Sequence, residues 1–262
     1  RTSQEVGVDE APKDYSFGVI FMYIKIDINT IEKCIKNKRN FDALCLAVFF
    51  KARYANSIVY KHSARDIKAI THLGSERFSK CLKDGEKLGF FSYGNDTIKV
   101  NKLHIGNYRY IRVERNSSFK DIQNTLREGI ILNRVNQIQF VKNIVVKADS
   151  PNYRFSKKEL RQYKEVRGYV DYANKDLLGS IRKSSLARLV GMSKSSVTNL
   201  INKMKEKHLI SVEPMYITIG KVEGAFDIIR INAYRDSWFV TRRENELLYQ
   251  IGNHYTPLVE VK

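Results

Sequence analysis

The sequence has few cysteines and no long apolar run, and these shortages exclude several classes of protein. Its three cysteines, Cys34, Cys45 and Cys81, are an odd number that argues against a disulfide framework and suits buried thiols in a reducing compartment. The five histidines do not pair with cysteines at the spacing of zinc ligands, so we expect no structural metal. No stretch approaches the ~18 apolar residues of a membrane span and no secretory signal is visible, so we expect a cytoplasmic, nucleoid-associated protein without membrane contact.

The chain also lacks the motifs of enzymes that act on nucleic acids. It has no glycine-rich phosphate loop with a lysine and no His-x-His metal pair. His62 and Arg65 have the spacing of one box of the tyrosine recombinases, but the other boxes of that family cannot be placed around them. We therefore expect binding rather than catalysis, with no catalytic residue, no cofactor and no small-molecule ligand.

Acidic residues are scarce relative to basic ones. Lysines and arginines number 46 against 28 aspartates and glutamates, which gives a formal net charge of +18. Such an excess predicts a polyanionic partner, with nucleic acid as the first candidate and an anionic membrane surface as the second. The apolar content of 43% and the length of 262 residues suit one large or two modest domains with real cores.

The segment from Lys183 to Ile210 has the pattern of a helix-turn-helix. Its first helix has a small residue, Ala187, where a second helix can cross closely, and Gly191 tolerates the backbone of the turn. Ser193 is a good N-cap for the second helix. The apolar residues recur at helical spacing in both helices: Leu186, Leu189 and Val190 in the first, and Val197, Leu200, Ile201 and Met204 in the second.

The predicted outer face of this segment is basic and rich in hydrogen-bond donors. Between Lys183 and His208 there are six lysines or arginines and one acid, Glu206. Asn199 is the candidate base reader, because an amide can make two hydrogen bonds to adenine, whereas the lysines suit phosphates. A helical hairpin inside a core, with its charges solvated, is the alternative. The residues predicted to contact DNA are Lys183, Ser193, Lys194, Ser195, Ser196, Asn199 and Lys203, with Lys221 in a following hairpin.

An internal repeat places a second, weaker copy of this segment upstream. With an offset of 119 residues and no gap, eight apolar positions of residues 63–91 coincide with those of the helix-turn-helix. The turn signal is weaker, because Lys68 and His72 replace Ala187 and Gly191. Acids also dilute the charge of this copy. Its predicted DNA contacts are Ser75, Arg77, Ser79, Lys80 and Lys83, with Asn95 and Lys99 in its hairpin.

Hairpin signals follow both copies. In the first, Phe90–Tyr93 and Thr97–Val100 flank a Gly-Asn-Asp turn. In the second, Met215–Ile219 and Phe226–Ile231 flank a glycine-bounded turn. The remaining predicted elements are a strand at 17–28, helices at 30–36, 41–56, 155–178 and 118–146, and a short helix around Arg242–Ile251. Asn37–Asn40 is predicted to break the early helices, and Gly129 to kink or break the long one.

The helix-turn-helix at 183–210, together with its hairpin, resembles that of bacterial winged-helix regulators and of plasmid replication initiators. The resemblance implies an α+β, mostly α fold with two winged helix-turn-helix domains joined by a long amphipathic helix. That helix packs within the chain or forms a homodimer interface. The expected divisions are an arm (1–14), a first winged-helix domain (15–105), a helical linker (106–150) and a second winged-helix domain (151–262).

The expected partner is double-stranded DNA, and the first role is that of a sequence-specific transcription regulator. The resemblance keeps a second role open, a plasmid or phage replication initiator that binds origin repeats. A different class also stays open, because winged helices serve as protein-docking modules. A continuous positive face across both copies favours DNA, and an acidic or apolar outer face favours docking.

Overall fold

The computed structural model describes residues 23–54, 58–60, 66, 69, 71–103, 109–148, 156–159, 161, 180–221, 240–243 and 246–259. Within these residues the chain is mixed α/β, with small antiparallel sheets. The predicted arm at 1–14 lies outside them, as does the domain boundary near residue 150. Of the predicted helix at 155–178, only 156–159 and 161 are described, and residues 157–159 and 161 are helical.

The first half begins with strand β1 (Tyr23–Asp27), which leads directly into helix α1 (Ile28–Ile35). Helix α2 (Lys38–Arg53) follows after two residues. Its N-cap is Asn37, whose side chain accepts hydrogen bonds from the backbone amides of Arg39 and Asn40. The prediction that residues 37–40 break the early helices is therefore wrong for residues 38–40. Asn37 caps the start of α2, and these three residues form its first turn.

Helix α2 is the centre of the core. All residues from Phe41 to Phe50 are buried, including the charged Asp42. A helix that is apolar on every side must be covered on every side. Phe49 packs edge-on against Phe119 with ring centroids 6.2 Å apart, and the Arg127 guanidinium lies 4.6 Å from the Phe41 ring centroid.

A three-stranded sheet follows in the first half. It consists of β2 (Ile58–Tyr60), β3 (Phe91–Tyr93) and β4 (Thr97–Val100), in the order β2-β4-β3. Helix α3 (Ser75–Lys87) precedes β3. The predicted hairpin is confirmed, with Phe91 opposite Val100 and Tyr93 opposite Ile98.

Strand β5 (Tyr110–Glu114) was not predicted, although it lies in the segment expected to be a helical linker. It pairs antiparallel with β1, so that Ile24 lies opposite Val113 and Ile26 opposite Ile111. These four side chains are buried, whereas Tyr23, Lys25, Arg112 and Glu114 between or beside them are exposed. The segment therefore returns to the first strand before the long helix begins.

Helix α4 (Phe119–Ala148) runs unbroken through Gly129, so the predicted kink or break at that glycine is wrong. The Ile111 side chain of β5 lies directly against the helix here, and a methyl group at Gly129 would overlap it. Gly129 is thus a site of close packing between strand and helix. The helix packs within the chain, where it contacts α1, α2 and β5 as well as elements that follow it in the sequence.

The second half repeats this arrangement of a helix pair beside a sheet. The elements are β6 (Ser180–Ile181), α5 (Lys183–Leu189), α6 (Lys194–Glu206), β7 (Ile210–Lys221), β8 (Val240–Arg243) and β9 (Glu246–Pro257). The central strand of the sheet is β9, which pairs antiparallel with β7 along most of its length and with β6 and β8 on its other edge.

One prediction for this end of the chain needs correction, and a second is described only in part. The short helix around Arg242–Ile251 is wrong, because these residues belong to strands β8 and β9. Long-range pairing with β7 overrides the helix-like spacing of the local sequence. The predicted strand at Met215–Ile219 lies within β7, but its partner in the described part of the chain is β9, and Phe226–Ile231 lies outside that part.

Candidate nucleic-acid interface

The two helices that follow the predicted turns repeat with the offset found in the sequence. Helix α3 spans 75–87 and α6 spans 194–206, which places both ends 119 residues apart. His72, with φ of 54°, and Gly191, with φ of 61°, occupy equivalent turn positions in the left-handed region. The turn therefore forms in the first copy as well, with histidine in place of glycine.

The ends of the two helices are equivalent too. The amide of Phe90 donates to the Gly85 carbonyl at 2.7 Å, and the amide of Leu209 donates to the Met204 carbonyl at 2.9 Å. These bonds close each helix with a residue in the left-handed region, Gly89 or His208. The predicted repeat is confirmed in the helix bounds, the turns and the caps. The first helix of the upstream copy is described only at Asp66, Ala69 and Thr71, which are helical.

Helix α6 is held by one apolar face and a serine cap. Ser193 accepts a hydrogen bond from the Ser196 amide at 3.2 Å and satisfies one of the free donors of the first turn. The four predicted apolar residues of this helix, Val197, Leu200, Ile201 and Met204, are all buried. The opposite face is consequently fixed toward solvent.

The exposed face of α6 presents amides and a hydroxyl in one line. Ser195, Asn199 and Asn202 are spaced by four and three residues, share one side of the helix and are exposed. Lys194 and Lys203, both exposed, flank this row. Asn202 was missed in the sequence, although its spacing of three residues from Asn199 was the signal that could have found it. We name Lys194, Ser195, Asn199, Asn202 and Lys203 the α6 face.

The other predicted DNA contacts of the second copy differ in their exposure and in the hydrogen bonds that they make. Lys183, at the start of α5, is exposed. Ser193 and Ser196 face solvent at least in part, but they share hydrogen bonds at the helix cap, at 2.8 Å between their hydroxyls. Lys221 ends β7, and its side chain lies outside the described part of the structure.

The predicted face of α3 is partly occupied by intramolecular ion pairs. Arg77 donates to the buried Asp42 carboxylate from Nε at 2.9 Å and from Nη2 at 2.6 Å. Lys80 pairs with Glu76 one turn away on the same helix. Arg77 is therefore held toward the core of the first half and is less able to reach another molecule.

The rest of the first-copy face is exposed. Ser75 begins α3, Ser79 and Lys83 lie on its solvent side, and Lys99 projects from β4. Asn95 lies exposed in the turn between β3 and β4. Three acids on α3, Glu76, Asp84 and Glu86, reduce the positive potential of this surface relative to that of α6, which has one.

A row of cations and aromatic rings on β1 and β5 was also missed in the sequence. The Arg112 guanidinium lies 4.4 Å from the Tyr23 ring centroid and 5.6 Å from that of Tyr110, and the Lys25 ammonium lies 4.6 Å from the Tyr110 centroid. Arg112 donates a hydrogen bond to the Tyr110 hydroxyl at 3.2 Å, which lowers the pKa of that tyrosine. In the sequence, tyrosines also alternate with basic residues at Tyr153, Tyr163, Tyr169 and Tyr172, which lie outside the described residues.

The three cysteines are buried and unpaired, each in a different helix. Burial raises the pKa of the Cys34 and Cys81 thiols to about 11, and it raises that of Cys45 as well. These thiols stay protonated at neutral pH and are poor nucleophiles. Among the described residues, no group of three or more metal-ligating side chains converges, and no helix combines the length and apolarity of a membrane span.

No protein-family model, curated protein or solved structure matches the chain. The repeated arrangement of elements and the chemistry of the exposed side chains are therefore the features that bear on function.

Proposed function

We propose that the protein binds double-stranded DNA in a sequence-specific manner through two winged-helix domains. The observation that carries this proposal is the α6 face, on which a hydroxyl and two amides lie in one exposed row between two lysines. In a helix-turn-helix, the second helix enters the major groove and reads base edges with residues near its N-terminus. Amide side chains suit base edges and lysines suit phosphates.

Support for two winged helices comes from the order of the elements. In the first half α2, the helical residues around Thr71, α3 and the β3–β4 hairpin follow one another as in that fold. In both halves a short strand before the helix pair joins the sheet beside its last strand, giving the orders β2-β4-β3 and β6-β9-β7. The same sheet order beside the same pair of helices suggests two copies of one domain type.

The two halves contribute unequally to this proposed function. The α6 face has exposed lysines near only one acid, whereas on α3 Arg77 and Lys80 are paired with acids. We infer that the second half supplies most of the affinity for DNA. The ion-paired surface of the first half favours a protein-docking role for that half as a second candidate function.

The biological role we place first is transcription regulation. A plasmid or phage replication initiator would contact DNA in the same way. Two DNA-binding domains in one chain suit the repeated sites of an origin. The spacing of protected sites in a footprint separates the roles, since a palindrome indicates a dimeric regulator and a tandem array indicates an initiator.

The double variant Lys194→Ala, Lys203→Ala is expected to bind duplex DNA more weakly and with a shallower salt dependence. Each phosphate contact contributes about 0.9 to the slope of log affinity against log salt, so the slope should fall by about 1.8. Fluorescence anisotropy of a labelled duplex, titrated between about 50 and 200 mM salt, measures both quantities.

The matched control for this variant is Lys33→Ala, Lys36→Ala. It removes the same two charges from exposed positions at the end of α1, outside the α6 face. Its salt slope should stay close to that of the parent protein. An equal loss in both double variants would show that only total charge matters, and it would overturn the assignment of the α6 face.

Asn199→Ala is expected to relax base preference at one position of the site and to leave the salt slope unchanged. A good bidentate contact discriminates against the wrong base by about 1–3 kcal/mol, and alanine removes it. Affinities for a panel of duplexes with single-base changes measure the effect. Asn202→Ala should act at a different position, and an unchanged preference at every position in both variants would contradict base reading by these amides.

A further inference from the structure

A polar cleft lies on the side of the molecule formed by the start of α1 and the middle of α4. Its volume is about 310 Å³, and Arg109, which precedes β5, and Arg161 also line it. We name it the arginine cleft after Arg109, Arg134 and Arg161, three of its lining residues. These arginines come from three separate stretches of the chain, so the fold itself brings them together.

Arginines outnumber acids among the described residues that line the arginine cleft. Among the described residues that form it, Glu32 is the single acid beside the three arginines. Glu32 lies 3.4 Å from Arg134 Nη2, and Arg109 Nη1 donates to the Asn133 side chain at 3.0 Å. The remaining polar lining consists of amide side chains, which add hydrogen-bond donors without adding charge.

The burial of Arg134 gives the cleft its selectivity for anions. The side chain of Arg134 is only 9% exposed, and a guanidinium in a low-dielectric site interacts strongly with a negative charge. A planar guanidinium presents paired donors that match the oxygens of a phosphate group. Three such groups around one cavity suit an anion with several phosphate oxygens better than a single carboxylate.

The size of the cleft indicates a small ligand. Its volume of about 310 Å³ is at the low end of small-molecule sites, which run from about 300 to 1,000 Å³. We propose that the arginine cleft binds a small phosphate-bearing anion of the diphosphate type. This binding does not depend on the proposed recognition of DNA.

Isothermal titration calorimetry with inorganic pyrophosphate tests the proposal on the full chain. The parent protein should bind one pyrophosphate per chain. Arg161→Gln removes an exposed cleft arginine and should weaken binding by about tenfold, whereas Glu32→Gln removes the opposing acid and should tighten it several-fold. Arg161 is exposed and is not a member of the pair formed by the buried Arg134 and the partly exposed Glu32, so its replacement removes neither of those two side chains.

Matched controls separate the cleft from the general positive charge of the molecule. Arg188→Gln and Glu86→Gln make the same charge changes at exposed positions on α5 and α3, and both should leave the affinity for pyrophosphate unchanged. No saturable binding to the parent protein would overturn the proposal, as would equal effects of Arg161→Gln and Arg188→Gln. Displacement of pyrophosphate by a short duplex would also overturn it, since the cleft would then be part of a DNA surface.

Discussion

Replacing Gly191 with alanine is expected to lower the free energy of unfolding by about 3 kcal/mol. Gly191 has φ of 61°, a conformation that costs an ordinary residue about 1–2 kcal/mol. An added Cβ would also lie 2.5 Å from the Ile35 carbonyl oxygen, which is backbone and cannot move aside easily. The turn of the second helix-turn-helix is thus packed against α1 of the first half.

Alanine variants at two other glycines separate the conformational cost from the steric overlap. Urea unfolding is measured on all three variants. Gly89 has φ of 75° and no atom within 4 Å of an added Cβ, so Gly89→Ala should show the conformational penalty alone, about 1–2 kcal/mol. Gly74 has φ of −60° and open space, so Gly74→Ala should change stability by only a few tenths of a kcal/mol. If Gly191→Ala costs no more than Gly89→Ala, the contact between the turn and Ile35 is absent.

Replacing Asp42 with alanine is expected to lower the free energy of unfolding by about 3 kcal/mol, at the low end for a broken buried pair. The Asp42 side chain is 4% exposed, and it accepts hydrogen bonds from Arg77 and from Gln123 Nε2, the latter at 2.9 Å. Its loss leaves the guanidinium and the amide without their acceptor. Arg77 is 45% exposed and regains water, which keeps the effect from being larger.

Asp84→Ala is the matched control, because Asp84 also pairs with an arginine. Arg39 donates to it at 2.9 and 3.1 Å, but Arg39 is largely solvent-exposed. The Asp84 side chain is 13% exposed against 4% for Asp42, so the Asp84 pair is better solvated and its loss should cost less stability, about 1 kcal/mol, in the same urea titrations. Similar losses for both aspartates would contradict a special role of Asp42 in fixing α3 to α2.

The helix-turn-helix repeat could be predicted because it depends on local sequence. The apolar spacing of each helix, the serine cap and the turn residue lie within about 30 residues of one another, and periodicity alone locates them. The equivalence of His72 and Gly191 was less visible. Both turn residues have a positive φ, but in the sequence only a glycine predicts that backbone conformation.

The strands were harder to predict because their partners are distant in the chain. Strand β5 pairs with β1, and strand β9 pairs with β7. No local sequence pattern predicts which strand is the partner. Residues 242–251 have the spacing of a short helix, yet the ladder with β7 decides their conformation. The same limit applies to Arg77, because its prediction as a DNA contact took no account of a buried carboxylate 35 residues away in α2.

The measurement that tests the central proposal most directly is selection of bound sequences from random duplex DNA at about 0.2 M salt. At a net charge of +18, loose binding at low salt is expected whatever the function, so the salt must be high enough to remove it. We predict that a short repeated or palindromic sequence is retained by the parent protein and lost by Lys194→Ala, Lys203→Ala. Retention of no sequence, or equal enrichment by that double variant, would contradict sequence-specific recognition by the α6 face.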